Sequence, residues 1–470
     1  MSVSDIARSA LGPRPPAPEP NAAPLGSLAF LIRFWQNPIA TWTRQHFELP
    51  IIQVERVHGR VAVISEPAAI RRIFNDNAGN YTKDALQRYM LSPDPPDGLI
   101  TAEGEDWRAQ RRALAPLFTP RMVKTFAPAM IESGRWLLDR WSPLREGQRV
   151  DVATEMALAT LDVLKRTIFP AGLVRDPDAF AKAVSDFFNS RARRHLHPFD
   201  LLGAPAWLPR VGKPSSAPTR RIFSRAIVDT LREARQAVAQ SGGASRDLLT
   251  MMRNARDPQT GEGLDEARIR ANVVTFMGAG YETTFSNLTW SLFLLSQHPD
   301  WREDVEREVD EILGSESIAP EMIDRLPRVR ATIEEALRLY PPVPRLSRSA
   351  IAADVLVGQP ILPGTLVVVA PYVLHRHRAL WSDPDWFDPA RFMPGRREAI
   401  DRFAFLPFGA GPHTCIGMSF GVQQAIVFLA MILRVYRLDL VAGHRVTPVH
   451  RLTLRPKEGM PMLLRRRHGG

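Results

Sequence analysis

A chain of 470 residues with 45% hydrophobic and 24% charged residues has the composition of a globular protein with a large core, which excludes a disordered or fibrous chain. No run of about 18 uninterrupted apolar residues occurs and the start lacks the apolar centre of a signal peptide, so we expect a cytoplasmic protein without a membrane anchor. The net charge of +11 comes mostly from scattered arginines without zinc-finger spacing or an aromatic RNA-binding motif, which favours an acidic protein partner over nucleic acid.

A proline-rich segment opens the chain. Prolines crowd residues 1–24 and predict an extended, flexible leader without chemistry, followed by a single folded domain over residues 25–470. Residues 51–64 alternate between apolar and polar side chains around His58-Gly59, which predicts a β-hairpin. From about residue 66 to about residue 340 the apolar residues recur at three- and four-residue spacings, so this region is predicted to be mainly helical.

Trp107 and Arg111 lie in one of these helical segments. They stand four residues apart, so their side chains share one helix face. A tryptophan that anchors an ordinary basic helix face explains this spacing about as well as a binding site does. The pair therefore needs support from another part of the sequence.

A helix of about 33 residues, or ~50 Å, is predicted over residues 265–297, with acidic residues at its start and Pro299 beyond its end. Such a helix would cross the whole molecule. It contains Gly278 and Gly280, and each mid-helix glycine costs about 1 kcal/mol relative to alanine. Close packing against a neighbouring helix would explain a glycine pair alone.

An acid and two alcohols beside these glycines favour a site of chemistry. Phe276, Ala279 and Thr283 fall on one face of the helix, and Glu282 precedes Thr283 directly. The hydroxyls of Thr283 and Thr284 can bond back to helix carbonyls and open the helix locally.

Glu335 and Arg338 stand three apart in a further predicted helix, which ends before two prolines. They can pair on one face, although Glu334 competes with Glu335 as the partner of Arg338 by spacing alone. Most pairs of this kind are surface salt bridges of little energetic value.

Strand patterns return late in the chain. Residues 355–357 and 366–369 flank Pro363-Gly364, which suits a type II turn. Residues 451–454 and 462–464 are expected to form a closing hairpin. The chain thus reads as a mostly helical body with small sheets at its edge.

Cys415 is the only cysteine, so no internal disulfide can form. A lone cysteine is most often a small core residue. Here glycines at positions 409, 411 and 417 would let a flat cofactor approach the backbone, and a helix predicted over residues 418–433 begins beside the sulfur. A helix N-terminus favours the thiolate, which is one of the few protein ligands of haem iron.

The stretch from Phe408 to Gly417 resembles the haem-binding loop of the cytochrome P450 family. The matching residues are Phe408, Gly409, Gly411, His413, Cys415 and Gly417, and the family more often has arginine where this chain has His413. The resemblance implies a mainly α fold with small β-sheets (α+β), in which a long central helix crosses over haem b. It also implies that Cys415 is the axial ligand of the haem iron.

Two further segments resemble motifs of the same family. The run from Ala279 to Thr283 is similar to its oxygen-binding groove, which implies that Glu282 and Thr283 deliver protons to dioxygen. The family's Glu-x-x-Arg pattern selects Glu335 as the structural partner of Arg338. A loop arginine, here Arg391, joins the pair, although alanine replaces the glutamate that is common at position 390.

The resemblance also implies a set of residues that contact the haem, with Arg345 as a competitor for the role of Arg348. The set is Trp107, Arg111, Ala279, Arg348, Phe408, Gly409, His413, Cys415 and Gly417. Alignment to the family places mostly apolar or small side chains at the substrate pocket: Leu99, Ile100, Phe276, Gly278, Val343, Leu346, Leu452 and Thr453.

The implied activity is that of a monooxygenase, which adds one atom of dioxygen to an apolar small organic molecule by hydroxylation or epoxidation. A terpenoid, a steroid or a fatty acyl chain would fit such a pocket. Because one haem domain accounts for the whole sequence, we expect electrons from a separate ferredoxin or flavodoxin with its NAD(P)H-dependent reductase. The partner would dock near Arg112, Lys124 and the cysteine loop.

One alternative comes from a different class of enzyme. Gly417-Met418-Ser419-Phe420-Gly421 matches the nucleophile elbow of serine hydrolases, and Asp439 and His444 follow in the required order. The elbow should follow a strand, whereas here it adjoins the cysteine loop. The Gly-Ala-Gly runs at 278 and 409 lack the third glycine of a dinucleotide site.

Overall fold

The computed structural model describes residues 12–56, 59–84, 98–169, 186, 228–229, 231–232, 247–314 and 318–467. The helices in these ranges are α1 Ser27–Gln36, α2 Pro67–Arg71, α3 Gly104–Leu114, α4 Pro120–Lys124, α5 Ala127–Trp141, α6 Val152–Ile168, α7 Leu248–Asn254, α8 Glu266–Gln297, α9 Pro299–Leu313, α10 Pro327–Leu339, α11 Pro371–Leu374 and α12 Met418–Val435. The strands are β1 Ile51–Arg56, β2 Gly59–Ile64, β3 Tyr81–Lys83, β4 Arg149–Asp151, β5 Leu346–Ala350, β6 Asp354–Leu356, β7 Gln359–Ile361, β8 Leu366–Val369, β9 Tyr436–Leu440, β10 Pro448–His450, β11 Leu454–Pro456 and β12 Pro461–Arg466.

The central helix, α8, organises the fold and confirms the predicted long helix. Its N-cap residue Asp265 accepts a hydrogen bond from the backbone N–H of Arg268 at 2.7 Å, and the helix ends at Gln297, before Pro299. Helices α6, α10 and α12 pack around it. Most of its side chains are buried on every side, as expected for a helix through the middle of a large core.

Small sheets lie at the edge of this helical body, as predicted. The largest has the strand order β1-β2-β8-β5-β3, in which only the β2–β8 pair is parallel. The hairpin predicted over residues 51–64 is present as β1 and β2, while His58 lies outside the described residues. In the same sheet β3 pairs with β5, so that Lys83 stands opposite Arg348.

Two strand pairings expected from the sequence are wrong, because in each expected pair one strand pairs with a nearer strand and the other with a more distant one. Gly364 adopts the positive φ of +78° that a type II turn requires, yet β6 pairs with β7 while β8 joins the large sheet. The expected closing hairpin is absent: β11 pairs with β10, and β12 pairs with β9 and β4.

Residues 12–24 do not behave as a flexible leader. Pro15 is buried, and the carbonyl of Pro16 accepts a hydrogen bond from the Tyr340 hydroxyl at 2.9 Å. Arg14 contacts Asp385 at 3.2 Å, and the Asn21 side chain donates to two carbonyls of the following segment. The segment is extended, as its prolines favour, but it lies against the body of the protein.

Helix α12 is apolar along its length. Among the described residues it is the one helix that is long and apolar enough to cross a membrane by length and composition, and 61% of it is buried inside the protein. A core helix of a soluble protein passes the same test, so the composition of α12 is weak evidence for a membrane span.

Candidate functional site

The cysteine loop, residues 408–417, is a tight turn that leads into α12. The backbone N–H of Cys415 donates to the carbonyl of Phe408 at 2.9 Å, and a 3₁₀ turn spans Gly411–His413. Gly409 and Gly411 have φ of +71° and +69°, a region that other residues rarely adopt. A side chain at Gly411 would also collide with the carbonyl of Phe74. Both glycines are therefore required by the backbone of the loop.

The thiol of Cys415 is solvent-accessible, and protein atoms nevertheless surround the sulfur closely enough that burial raises its pKa. The backbone N–H of Gly417 and the positive charge of Arg111 act in the opposite direction. A bound metal cation would outweigh the burial and keep the sulfur as thiolate.

One face of the central helix carries small residues with accessible surface in the middle of the core. Ala279 is exposed, and Gly278, Gly280 and Thr283 are partly exposed, although the residues on either side of this stretch are buried. A Cβ at Gly280 would lie 3.0 Å from Leu164 of α6. Close packing on a neighbouring helix, the simpler explanation for a glycine, thus applies to Gly280, while Ala279 and Thr283 border open space.

Thr283 and Thr284 point in different directions. The Thr283 hydroxyl donates to the carbonyl of Ala279 at 2.6 Å, and the helix nevertheless continues without a break from Glu266 to Gln297. Thr284 is buried, and its hydroxyl oxygen lies 3.7 Å from the position of a Cβ at Gly421 on α12. The central helix therefore contacts α12 only six residues beyond Cys415.

Glu282 is turned away from this accessible face. Its carboxyl is buried and accepts a hydrogen bond from the Thr453 hydroxyl at 3.2 Å. Burial raises the pKa of Glu282 to about 7, while Arg455 and the Thr453 bond limit the rise. A buried acid that titrates near neutral pH can both hold and release a proton.

A cluster of cations lies beside the cysteine loop. The His413 ring stacks on the Trp107 ring at a centroid distance of 3.8 Å, and burial lowers the pKa of His413 to about 3, so the ring is neutral. Four positive side chains add to this effect: Lys83, Arg348, Arg111 and Arg108. The structure thus brings together the predicted residues Trp107, Arg111, Arg348 and His413.

These features fit haem b. The accessible thiol supplies one ligand for the iron, the small residues of the central helix leave room for a flat ring, and the cations complement its two negative propionates. Arg345 is partly exposed, and Asp84 lies near both Arg345 and Arg348. Arg348 acts on His413 of the cysteine loop, whereas Arg345 acts on His450, and this difference favours Arg348 for the propionate.

Lys83 belongs to this cluster, and reasoning from the sequence missed it. Lys83 is 6% exposed, donates to the carbonyl of Ala102 at 2.7 Å and lies 3.9 Å from Glu103. Directly across the β3–β5 ladder stands Arg348, which is also 6% exposed. Like charges opposite each other are unfavourable in a sheet; Glu103 offsets part of this cost because it acts on both side chains, and an anionic propionate would offset more of it.

We expect Lys83→Met to lose haem about 10 to 100 times faster than the unaltered protein, since it removes the charge-assisted hydrogen bond that Lys83 would donate to a propionate. Transfer of haem from the purified holoprotein to apomyoglobin measures this rate. Lys457→Met is the matched control, because Lys457 is exposed and its contact is Glu458 at 3.1 Å. Equal rates of haem loss for Lys83→Met and the control would remove Lys83 from the cofactor site.

Glu335, Arg338 and Arg391 form a buried ion cluster at the end of α10. Arg338 binds Glu335 through two hydrogen bonds of 2.7 Å, and both side chains are fully buried. Arg391 approaches Glu335 at 3.4 Å, while Glu334 binds Arg397 at the surface instead. The remaining guanidinium N–H groups of Arg338 donate to the carbonyls of His375, Pro384 and Trp386.

The predicted pocket residues occupy several segments around the central helix. The backbone N–H of Leu99 donates to Asn272 at 2.9 Å, and Phe276 packs edge-on against Phe118. Leu346 borders the cysteine loop, 3.9 Å from the position of a Cβ at Gly409. Of the other predicted positions, Thr453 is buried and Val343 is 38% exposed. The rest are partly exposed: Ile100, Gly278 and Leu452.

The arrangement that a serine hydrolase needs is not assembled. Ser419 lies in the first turn of α12, after a 3₁₀ turn rather than a strand. Asp439 lies in β9, beyond the opposite end of this 18-residue helix, and binds Arg302 and Arg465. The carboxylate of Asp439 is engaged by two arginines and the serine does not follow the strand that a nucleophile elbow needs, so the hydrolase alternative has no support.

Comparisons with known proteins agree with this site. A family model for cytochrome P450 matches residues 15–462. Cyclooctat-9-en-7-ol 5-monooxygenase from Streptomyces melanosporofaciens is 30% identical over 434 residues, which cover 90% of each chain. Cytokinin hydroxylase from Arabidopsis thaliana is 32% identical over 374 residues, 78% of this chain and 71% of the relative. The crystal structure of the cytochrome P450DA heme domain superimposes with a TM-score of 0.80 at 26% identity, covering 96% of this chain and 98% of that chain.

Proposed function

The chain belongs to the cytochrome P450 family and is a haem-thiolate monooxygenase with haem b as its cofactor, and from this premise we propose the roles of its own residues. When bound, the haem iron activates dioxygen, and a thiolate ligand favours cleavage of the O–O bond. Cys415 would hold the iron through Sγ. Arg111, Arg348 and Lys83 would bind the propionates, with His413 and Trp107 stacked beside them.

The observation that carries this assignment is the accessible thiol of Cys415 in its glycine-rich loop, which leads into α12, the helix that contacts the central helix at Thr284. On the accessible face of the central helix, Ala279 leaves space for the reacting molecules. Thr283 is the hydroxyl that borders this space, and Glu282 stores a proton one residue away. Thr283 would move protons at its Oγ1 atom during the reaction.

Thr283→Ala is expected to keep haem and substrate binding but to lower the yield of product per NAD(P)H several-fold, with hydrogen peroxide formed instead. The reason is that the hydroxyl next to the reacting molecules is removed. Thr284→Ala is the matched control, because Thr284 faces α12 and should leave coupling unchanged. Product and peroxide are measured per NAD(P)H consumed. If the yield of product per NAD(P)H falls in Thr284→Ala alone, the proton-delivery role belongs to Thr284. If the yield is unchanged in both variants and in their double variant, neither threonine has that role.

The substrate is proposed to be an apolar small molecule of the terpenoid, steroid or fatty acyl class, since the pocket positions are mostly apolar or small. Apolar lining is common to small-molecule pockets, so the class needs a direct test. Cyclooctat-9-en-7-ol is named as the substrate of one relative and is a reasonable first compound. Titration of the purified holoprotein with compounds of each class, followed by the low-to-high-spin shift of the haem, decides among them. If none of the apolar compounds produces the low-to-high-spin shift, the proposed substrate class is wrong.

Electrons are proposed to arrive from a ferredoxin or flavodoxin at a cleft of about 440 Å³ beside the cysteine loop. The cleft is lined in part by Lys124, Arg330 and Arg397, and by Asp324 and Glu334, which bind Lys124 and Arg397. Arg112, which we expected to contribute, does not line this cleft and is engaged by Asp257 at 2.7 Å and Glu105 at 2.9 Å. Reduction rates with each partner across a salt series test this docking, and rates independent of salt would argue against it.

We propose that residues 12–467 act as one haem domain in the cytoplasm. One cluster of buried apolar side chains includes residues from Ile39 to Leu464, and the contacts of residues 12–24 join the start of the chain to the same body. Fractionation of the native cells, followed by the thiolate-haem absorbance of each fraction, tests the compartment. Absorbance in the membrane fraction would contradict it.

A further inference from the structure

Three residues of the central helix lie on one face and form hydrogen bonds with Thr453 and Leu454, where β11 begins. Glu282, Ser286 and Trp290 stand four apart, so they share one helix face. Ser286 Oγ and Trp290 Nε1 both donate to the carbonyl of Leu454, at 2.6 Å and 3.0 Å. The third contact is the bond from Thr453 Oγ1 to Glu282 Oε2 at 3.2 Å. All of these groups are buried.

This face of the central helix is different from that of Ala279 and Thr283. Successive helix residues are turned by about 100° from each other, so the Glu282 side chain leaves the helix well away from the Thr283 side chain. The single hydroxyl proton of Thr283 is already donated to the carbonyl of Ala279 at 2.6 Å. Among the side chains that the structure describes, Thr453 is the one that hydrogen-bonds the carboxyl of Glu282.

The position of Thr453 is set by the fold rather than by its own side chain. The backbone N–H of the next residue, Leu454, donates to the carbonyl of Pro342 at 3.0 Å, while its carbonyl is held by the central helix. Thr453 is 4% exposed. The hydroxyl is therefore presented to Glu282 Oε2 by a segment that is anchored on both sides.

The charged surroundings of Glu282 are simple. Burial raises its pKa to about 7, and the two influences that oppose burial both come from the Thr453–Arg455 segment: the charge of Arg455 and the hydrogen bond of Thr453. The carboxylate of Asp162 on the neighbouring helix α6 is engaged by Ser133, Lys165 and Arg166. Residues 453–455 thus lower the pKa of the Glu282 carboxyl from a segment outside the central helix.

We propose that Thr453 is a positioning residue for the reaction: its hydroxyl holds the Glu282 carboxyl at Oε2 and stabilises its ionised form, so that the segment beside the substrate pocket sets the proton supply. This inference rests on the proposed role of Glu282 in proton delivery. It adds a hydrogen-bond donor from the residue before β11 to the acid and alcohol of the central helix.

The test is a pH titration of the Glu282 carboxyl in the purified holoprotein by infrared difference spectroscopy, with the band assigned by its loss in Glu282→Gln. Thr453→Val keeps the shape of the side chain but removes the donor to the carboxylate. Loss of that donor disfavours the ionised form, so the midpoint is expected to rise by about one pH unit. The pH profile of coupling should move in the same direction. Thr453→Ser keeps a hydroxyl and should restore both values.

Ser286→Ala is the matched control, because it removes a neighbouring hydrogen bond to the same segment without touching the carboxyl. Its midpoint is expected to match that of the unaltered protein. If Thr453→Val cannot be produced, Thr453→Ala supplies the same comparison. An unshifted midpoint in the Thr453 variant, or an equal shift in Ser286→Ala, overturns the inference. The midpoint could shift in the Thr453 variant while Glu282→Gln keeps its full yield of product per NAD(P)H. That result would confirm the Thr453 contact and contradict the proposed role of Glu282 in proton supply.

Discussion

Cys415→Ala is expected to abolish monooxygenation and the strongly red-shifted Soret band that a reduced thiolate-ligated haem shows under carbon monoxide. The variant removes the only thiol in the chain, so no other cysteine can replace the ligand. The thiol lies near Arg111 among closely packed protein atoms, and a ligand from solvent in its place would lack the electron-donating sulfur. Absorbance of the dithionite-reduced, carbon monoxide-treated protein measures the result. Persistence of the red-shifted band in Cys415→Ala would show that the ligand is assigned to the wrong residue.

Ser419→Ala separates loss of the ligand from general damage to the same region. Ser419 lies four residues after Cys415 in the first turn of α12 and is partly exposed. We expect this variant to keep the red-shifted band. A band lost equally in both variants would mean that the loop, rather than the sulfur, is responsible.

The parts of the fold that local chemistry determines could be predicted from the sequence. The central helix begins at an aspartate whose side chain caps it and ends just before Pro299, and both signals lie within a few residues of the helix ends. The β1–β2 hairpin likewise depends on neighbouring residues. Strand β12 instead pairs with β4, about 310 residues earlier, and a strand pattern says nothing about such a distant partner.

The site also combines residues that are neighbours in the sequence with residues that only the fold brings together. The cysteine loop is continuous in sequence, so its glycines and Cys415 could be recognised together. Lys83 could not be recognised, because its burial and its like-charged neighbour depend on pairing with a strand about 265 residues away. The contact between Glu282 and Thr453 spans 171 residues and was equally invisible, although each residue alone was placed near the site.

At the start of the chain, composition predicts the backbone conformation but not its contacts. The prolines of residues 12–24 do favour an extended backbone, but an extended segment can still bind a body that offers donors to its carbonyls. The Tyr340 hydroxyl does this for Pro16, and the Tyr340 ring is itself stacked on Trp290 of the central helix at 3.8 Å. Tyr340 directly follows α10, so the N-terminal segment reaches the helix that carries Arg338.

Arg338→Ala is expected to yield little folded, haem-loaded protein. The change leaves the Glu335 carboxylate buried without its bidentate partner and frees three buried carbonyls that the guanidinium now satisfies. Removing one partner of a buried ion pair costs about 3–5 kcal/mol, and the free energy of unfolding of a typical domain is only about 5–15 kcal/mol. Urea unfolding followed by circular dichroism measures the loss.

Arg397→Ala is the matched control for this loss of stability. Arg397 binds Glu334, the neighbour of Glu335 on the same helix, but its side chain is 37% exposed and the contact is 3.2 Å. A pair screened by solvent in this way contributes at most about 1 kcal/mol, so this variant should fold and bind haem normally. The comparison isolates burial, since both variants remove an arginine from a glutamate of α10. A stable, haem-loaded Arg338→Ala protein that lacked only turnover would show that Arg338 acts in the reaction rather than in holding the fold around the cofactor.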